Sequence, residues 1–132
     1  MQFTLTQKER IKSKKQLNRL FGEGHSFFVY PFKVLYLLEN DCDEKQVKML
    51  ITVSKKKFKK AVERNKIKRL AREAFRKNKL LLNDSLSENH QCMSLGLIYT
   101  GETILPYQEI ERKLILILQR LIKRGETNRD LS

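Results

Sequence analysis

A chain of 132 residues with 40% hydrophobic content is one domain's worth of material, able to build a modest core and too apolar for wholesale disorder. Its 28 Lys and Arg stand against 15 Asp and Glu, and the resulting net charge of +13 and pI near 9.9 describe a surface that attracts nucleic acid or an anionic membrane. No run approaches the roughly 18 apolar residues that would span a bilayer, and MQFTLTQKER at the start lacks the apolar block of a signal peptide, so a cytoplasmic protein with no membrane partner is expected.

The segment Lys14 to Phe21 carries Leu17, Leu20 and Phe21 at three- and four-residue spacing, which predicts a short basic amphipathic helix stopped by Gly22 and Gly24. Its cations continue back through Lys12, Arg10 and Lys8. Phe27 to Leu38 and Val47 to Val53 are rich in β-branched and aromatic residues and predict strands, joined by a polar turn from Asn40 to Glu44. A long basic helix is predicted from about Phe58 to Leu82, ended by the polar stretch Asn83 to Gln91. Met93 to Thr100 reads as a further strand. Pro106 then suits a first helical turn, Glu109 and Glu111 suit its positive end, and Ile110, Leu114, Ile117, Leu118 and Leu121 form a buried face. Residues 125–132 read as a disordered tail, leaving 1–124 as a single domain. The order helix, strands, helix, strand, helix predicts an α+β fold with helices laid on a small mixed sheet.

The stretch from Arg64 to Arg76, RNKIKRLAREAFR, is the most informative part of the chain. It places six cations in thirteen positions and still keeps an apolar stripe. At about 100° per residue, Arg64, Lys68, Arg69, Arg72 and Arg76 share one arc with Asn65, while Ile67, Leu70, Ala71 and Ala74 lie roughly opposite. From Lys55 to Lys79 there are thirteen Lys or Arg against Glu63 and Glu73. Charges packed more closely than the ~8 to 10 Å Debye length repel one another, and a merely solvated helix would relieve this with interspersed acids. An anionic partner resolves the conflict. Single-stranded nucleic acid is held by stacking bases on rings within a basic groove, which makes Phe21 and the half-exposed Tyr36 candidates.

Nothing points to chemistry carried by this chain alone. There is no HExxH, GxSxG or phosphate loop, and no carboxylate cluster for two-metal hydrolysis. Asp41, Asp43 and Glu44 lack the spacing of a calcium loop, and His25 and His90 sit in polar stretches and read as solvated loop residues. Cys42 and Cys92 lack CxxC spacing and read as reduced thiols. The composition leaves open a ribosomal or general structured-RNA-binding protein, and a DNA binder presenting the basic helix to a major groove. The latter lacks any helix-turn-helix pair or zipper.

The ordered block VSKKKFKKAVERNKIKRLAREAFR from Val53 to Arg76 resembles the protein subunit of bacterial-type ribonuclease P, whose signature is an Arg-Asn-Arg helix preceded by a strand ending in Ser-Lys-Lys. The likeness extends upstream to Arg10-Ile11 and to LNRLFGEG from Leu17 to Gly24, and downstream to the helix after Pro106. It implies a small two-layer α/β sandwich, a mixed four-stranded sheet with about three helices in the order α-β-β-β-α-β-α, with a left-handed β-α-β crossover carrying the basic helix. It also implies a division of labour. A catalytic RNA subunit, holding most of the Mg2+, hydrolyses the bond joining the 5′ leader to precursor tRNA, and one protein per RNA binds that subunit and grips the leader. Carried onto this sequence, Arg64, Asn65, Lys66, Lys68, Arg69, Arg72 and Arg76 would face the RNA subunit, and Phe21, Tyr36, Lys55 and Lys56 would hold the leader. No residue is expected to be catalytic or to bind metal. Three positions depart from the family pattern: Lys66 replaces the second arginine of the signature, Leu17 stands where many members carry Phe, and Phe58-Lys59-Lys60 lacks a glycine before the helix.

Overall fold

The computed structural model describes residues 14–40, 47–88 and 91–131. Eight elements follow in chain order: α1 (Lys14–Glu23), β1 (His25–Val29), β2 (Phe32–Asn40), β3 (Val47–Val53), α2 (Ala61–Asn78), α3 (Leu80–Glu88), β4 (Gln91–Tyr99) and α4 (Tyr107–Leu131). The strands form one sheet in the order β1-β2-β4-β3. β1 pairs antiparallel with β2 and β2 with β4, whereas β3 runs parallel to β4, so the connection between those two crosses over through α2 and α3. The mixed sheet and the order of its elements agree with the expected α+β fold, with one helix more than expected.

Alternation within the strands decides which residues face the helices. Phe32, Val34 and Tyr36 of β2, Val47, Met49, Ile51 and Val53 of β3, and Met93, Leu95, Leu97 and Tyr99 of β4 are buried on one face. There they pack with Ile67, Ala71, Ala74 and Phe75 of α2, Leu82 and Leu86 of α3, and Ile110, Leu114, Ile117, Leu118 and Leu121 of α4. Among the described residues, the opposite face carries only α1. Leu20 reaches it fully buried, and the missing side chain of Gly96 makes room: a Cβ there would lie 3.2 Å from Leu20 Cδ2. Gly24 ends α1 by donating its N–H to the Leu20 carbonyl at 3.1 Å, and Arg19 pairs with Glu39 of β2 at 3.2 Å, which raises the guanidinium pKa.

Several boundaries differ from the sequence reading, each for a local reason. α1 continues past Gly22 to Glu23. The aromatic stretch is two strands, divided by a tight turn at Tyr30-Pro31 whose Pro31 carbonyl accepts bonds from both the N–H and the hydroxyl of Thr100. Phe58 lies buried in the turn before α2, since its N–H is held by the Ser54 carbonyl. The predicted single helix breaks at Lys79, and Asn83 is helical: its side-chain oxygen accepts the Val47 N–H at 3.4 Å, while Leu82 and Leu86 turn into the core. α4 runs on through Gly125, where composition suggests a tail. His25 belongs to β1 rather than to a loop, and Cys92 is disulfide-bonded rather than a free thiol. The expected turn at 41–44, together with Cys42, His90 and the cations Lys8, Arg10 and Lys12, lies outside the described residues.

Candidate nucleic-acid interface

The basic helix is built as its periodicity predicts, with Ile67, Ala71, Ala74 and Phe75 buried. Phe75 completes the buried stripe and turns it toward Arg64 and Lys68, so these two are partly covered while Asn65, Lys66 and Arg69 stand exposed. Arg64 uses its guanidinium locally, donating from Nη1 to the carbonyls of Phe58 at 2.7 Å and Lys59 at 2.9 Å. At the other end Arg76 pairs with Glu73, Nε to Oε2 at 3.0 Å with a second contact from Nη2 to Oε1. The bonds from Arg76 hold the Glu73 carboxyl below its ordinary range, and the same bonds raise the Arg76 pKa. The predicted arc is therefore graded: both termini are engaged within the protein, and the outward charge concentrates at Lys66 and Arg69.

Ahead of the helix, Ser54 to Lys57 forms a tight turn. The Ser54 hydroxyl accepts the Lys56 N–H at 3.1 Å, leaving the Lys55 and Lys56 side chains exposed. Lys57 folds back onto the Thr100 carbonyl at 2.7 Å and onto Glu102 at 3.2 Å. Lys59 and the extended helix-capping residue Lys60 are exposed beside the N-terminus of α2, whose first turn holds only Glu63 as an acid. Cations at a positive helix end raise the local potential, so this corner favours an anion.

The outward sheet face, which carries α1, gives this corner its shape. Cross-strand register aligns Phe28, Lys33, Ile98 and Thr52 in one row, and Ser26, Leu35, Gly96 and Leu50 in the next. Leu20 of α1 seats on the second row at Gly96, beside which Leu35 lies on β2. Among the described residues nothing covers the first row on the side toward the Lys55–Lys57 turn, about 7 Å further along the strands at ~3.3 Å per residue. Its rim carries exposed rings, Phe28 at 54% and Tyr30 at 51%, and Phe21 on α1 is 59% exposed.

Of the four residues expected to hold a leader, Phe21, Lys55 and Lys56 are thus accessible on the outward side or at its edge. Tyr36 is not half-exposed. It is 5% exposed and faces the opposite side of the sheet, because side chains alternate and Leu35, one residue earlier, points outward. Tyr36 instead accepts a bond from Arg124 Nη1 at 2.9 Å. Phe28, Tyr30 and Lys33 escape a reading by motif. Their signal is the Tyr30-Pro31 turn: splitting the aromatic stretch there sets the alternation of both strands. Leu17, which departs from the family pattern, has a side chain outside the described residues. Among the described residues no three His, Cys, Asp or Glu side chains gather as a cation site, and no helix is long and apolar enough to cross a membrane.

A mixed sheet bearing one strongly basic helix, a lysine turn at its N-terminus and an open row with aromatic edges defines a nucleic-acid-binding α+β protein. The chain belongs to the ribonuclease P protein family, whose family model, described as Ribonuclease P, matches residues 5–121. It is 38% identical over 119 residues to the ribonuclease P protein component of Porphyromonas gingivalis strain ATCC 33277, covering 90% of this chain and 87% of that one. Among solved structures it is similar to the RNase P protein of Staphylococcus aureus, with a TM-score of 0.67 at 26% identity over 86% of this chain and 97% of that chain. It is likewise similar to the RNase P protein of Thermotoga maritima, with a TM-score of 0.64 at 26% identity over 85% and 96% of the two chains. As a member of this family it is a component of the ribonuclease P endoribonuclease, associates with its RNA and precursor tRNA, and serves in removal of the 5′ leader.

Proposed function

We propose that the exposed edge of α2 docks on the RNA subunit while the open sheet row and the lysine turn hold the single-stranded leader, with bond breaking left to the RNA. Asn65, Lys66, Lys68, Arg69 and Arg72 supply the docking edge, and Arg64 and Arg76 frame it. Their cations displace counterions from phosphates, which favours association without demanding a base sequence. Phe21 offers a ring to a leader base, and Lys55 and Lys56 follow its backbone. Tyr36, as a buried ring, contributes no stacking surface and acts only through its neighbours. The observation that carries this reading is the continuity of the two sets: Arg64 bonds the carbonyls of the segment that follows Lys55 and Lys56, so docking helix and leader edge form one rim.

In this reading the protein occupies the complex as one copy per RNA, in the cytoplasm, with residues 1–124 as the working domain. The Mg2+ that activates water is held mainly by the RNA. The protein's own contribution is electrostatic: by neutralising phosphates where two RNAs approach, it lowers the magnesium concentration that their association requires. Mixing the chain with ribonuclease P RNA at low magnesium should raise cleavage of precursor tRNA. No stimulation there, or hydrolysis by the protein unaided, removes the proposal.

A further inference from the structure

A second cluster of cations and rings lies on the far side of α4 from the basic helix. One flank of α4 faces α2, where Glu111 accepts bonds from Asn78 at 3.1 Å and from Tyr107 at 3.1 Å. The other flank faces the β1 edge. There the Arg124 guanidinium lies 4.8 Å from the Phe27 ring centre and 5.6 Å from that of Tyr36, and its Nη1 donates to the Tyr36 hydroxyl at 2.9 Å. Arg120, one turn earlier, lies 5.6 Å from the Phe27 ring, and the His25 ring lies 5.6 Å from Tyr36.

Three properties separate this cluster from an ordinary solvated helix face. Two rings and one hydrogen bond fix the plane of Arg124, which a free surface arginine lacks, so little side-chain entropy remains to be lost on binding. Arg120, Arg124 and His25 are nevertheless exposed, so the ring contacts do not hide the charge. Among the described residues no carboxylate pairs with Arg120 or Arg124, whereas Arg76 and Arg112 each pair with one and Arg19 with both Glu23 and Glu39. A rigid planar fork without a protein anion matches a phosphate oxygen pair.

We infer that the edge formed by Arg120, Arg124, Phe27 and His25 is a second RNA phosphate-binding surface, separate from the α2 docking edge. A helix is about 10 Å across, so a single strand lying along α2 does not also reach the far flank of α4. The protein then holds RNA on two sides, and the phosphates on the α4 side belong to a different segment from those on α2. That segment is part of the RNA subunit, the body of the tRNA or the leader, and the three differ in which RNA reports the contact.

The test measures the salt dependence of binding of the full-length chain to three RNAs separately: ribonuclease P RNA, leader-bearing precursor tRNA and mature tRNA. Arg120→Gln with Arg124→Gln should lower the slope of log affinity against log salt by about one and a half units for at least one of them, at ~0.7 to 0.9 unit per lost phosphate contact. Loss with the RNA subunit alone, with both tRNAs, or with the precursor alone assigns the segment in turn. Since Arg124 braces Tyr36, a melting curve checks the fold. Should the double variant melt early, Arg120→Gln alone carries the test, with an expected loss of about 0.8 unit. Slopes unchanged for all three RNAs in a folded variant overturn the inference. So does equal competition by poly-glutamate and RNA at this edge, which would make it a site for acidic protein. Lys66→Gln with Arg69→Gln is run beside it: a drop there without one at α4 removes only this inference, whereas no drop in either removes the docking proposal on α2.

Discussion

Arg64 holds Phe58 by its backbone: the guanidinium donates to the Phe58 carbonyl at 2.7 Å while the Phe58 ring is buried against Tyr99, ring centres 6.0 Å apart. One arginine of the basic helix therefore closes the turn that carries the lysines, and the ring at the centre of that turn anchors it in the core. Phe58-Lys59-Lys60 contains no glycine, and the Arg64 side chain holds two carbonyls of this segment in place.

Arg64→Lys should separate shape from charge. Lysine keeps the net charge, but its shorter side chain does not carry an N–H to the place of Nη1, which donates both bonds, so at least one carbonyl loses its partner and stability should fall by about 1 kcal/mol in chemical denaturation. The salt slope should stay within error of the parent. Affinity for leader-bearing precursor should drop more than affinity for leaderless tRNA, because the lysine turn loosens. Equal losses for both RNAs would show that Arg64 does not organise the leader edge.

Charge changes along α2 should be unequal. Lys66→Gln and Arg69→Gln, at exposed positions, should each lower the salt slope of binding to ribonuclease P RNA by ~0.7 to 0.9 unit. Arg76→Gln should lower it by less than half as much, since Glu73 already offsets that charge. Glu73→Gln should tighten binding. Identical slopes for all four variants would mean that the gradation along the helix has no bearing on RNA.

Tyr36 marks the limit of what the sequence makes legible. The period of α2 can be read because a helix repeats its apolar stripe over several turns, so Ile67, Ala71 and Ala74 follow from spacing alone. Strands offer fewer repeats, and a one-residue error reverses a face. Unless the Tyr30-Pro31 turn is recognised, nothing in composition tells Leu35 from Tyr36, and the polar tip of the tyrosine argues for the wrong side. The break at Lys79 is illegible for another reason: Leu80, Leu81 and Leu82 continue a plausible helix, and only the tertiary position of β4 and α4 bends Leu82 and Leu86 inward. The ties of Arg64 and Arg76 are likewise hidden, because a charged arc on a helical projection says nothing about which members find partners.

Alkaline titration should report the clasp between α2 and α4. Burial, then the bond to Glu111, pushes the Tyr107 phenol up to about 12, and Lys77 lies 5.4 Å from its ring centre. A pKa raised on folding above the ordinary value near ~10 stabilises the fold fully below that pH, and the contribution is lost as pH rises from about 10 through about 12. Phenolate absorbance of the parent should therefore show a late component that Tyr107→Phe removes, and the variant's stability should decline less steeply across that window. Tyr99, raised by its own burial, should remain. An unchanged titration curve in the variant would place the Tyr107 hydroxyl in solvent.

Gly96 offers a way to move α1 without touching the core face. A Cβ at this position would lie 3.2 Å from Leu20 Cδ2 and 3.6 Å from Leu35 Cβ, so Gly96→Val, with two further methyl groups on the outward face, should lift the helix from its seat. Leu20→Ala should loosen the same seat by removing the fully buried side chain, at a cost of about 2 to 5 kcal/mol if the helix stays docked and less if it detaches. Hydrogen exchange should then speed up in Lys14–Glu23 while β2 and β4 stay protected. Because Phe21 rides on α1 and the docking edge belongs to α2, affinity for leader-bearing precursor should fall in both variants while affinity for the RNA subunit holds. Parallel losses of both affinities would indicate that α1 supports the whole domain, and that the open row beside it is not a separate binding surface.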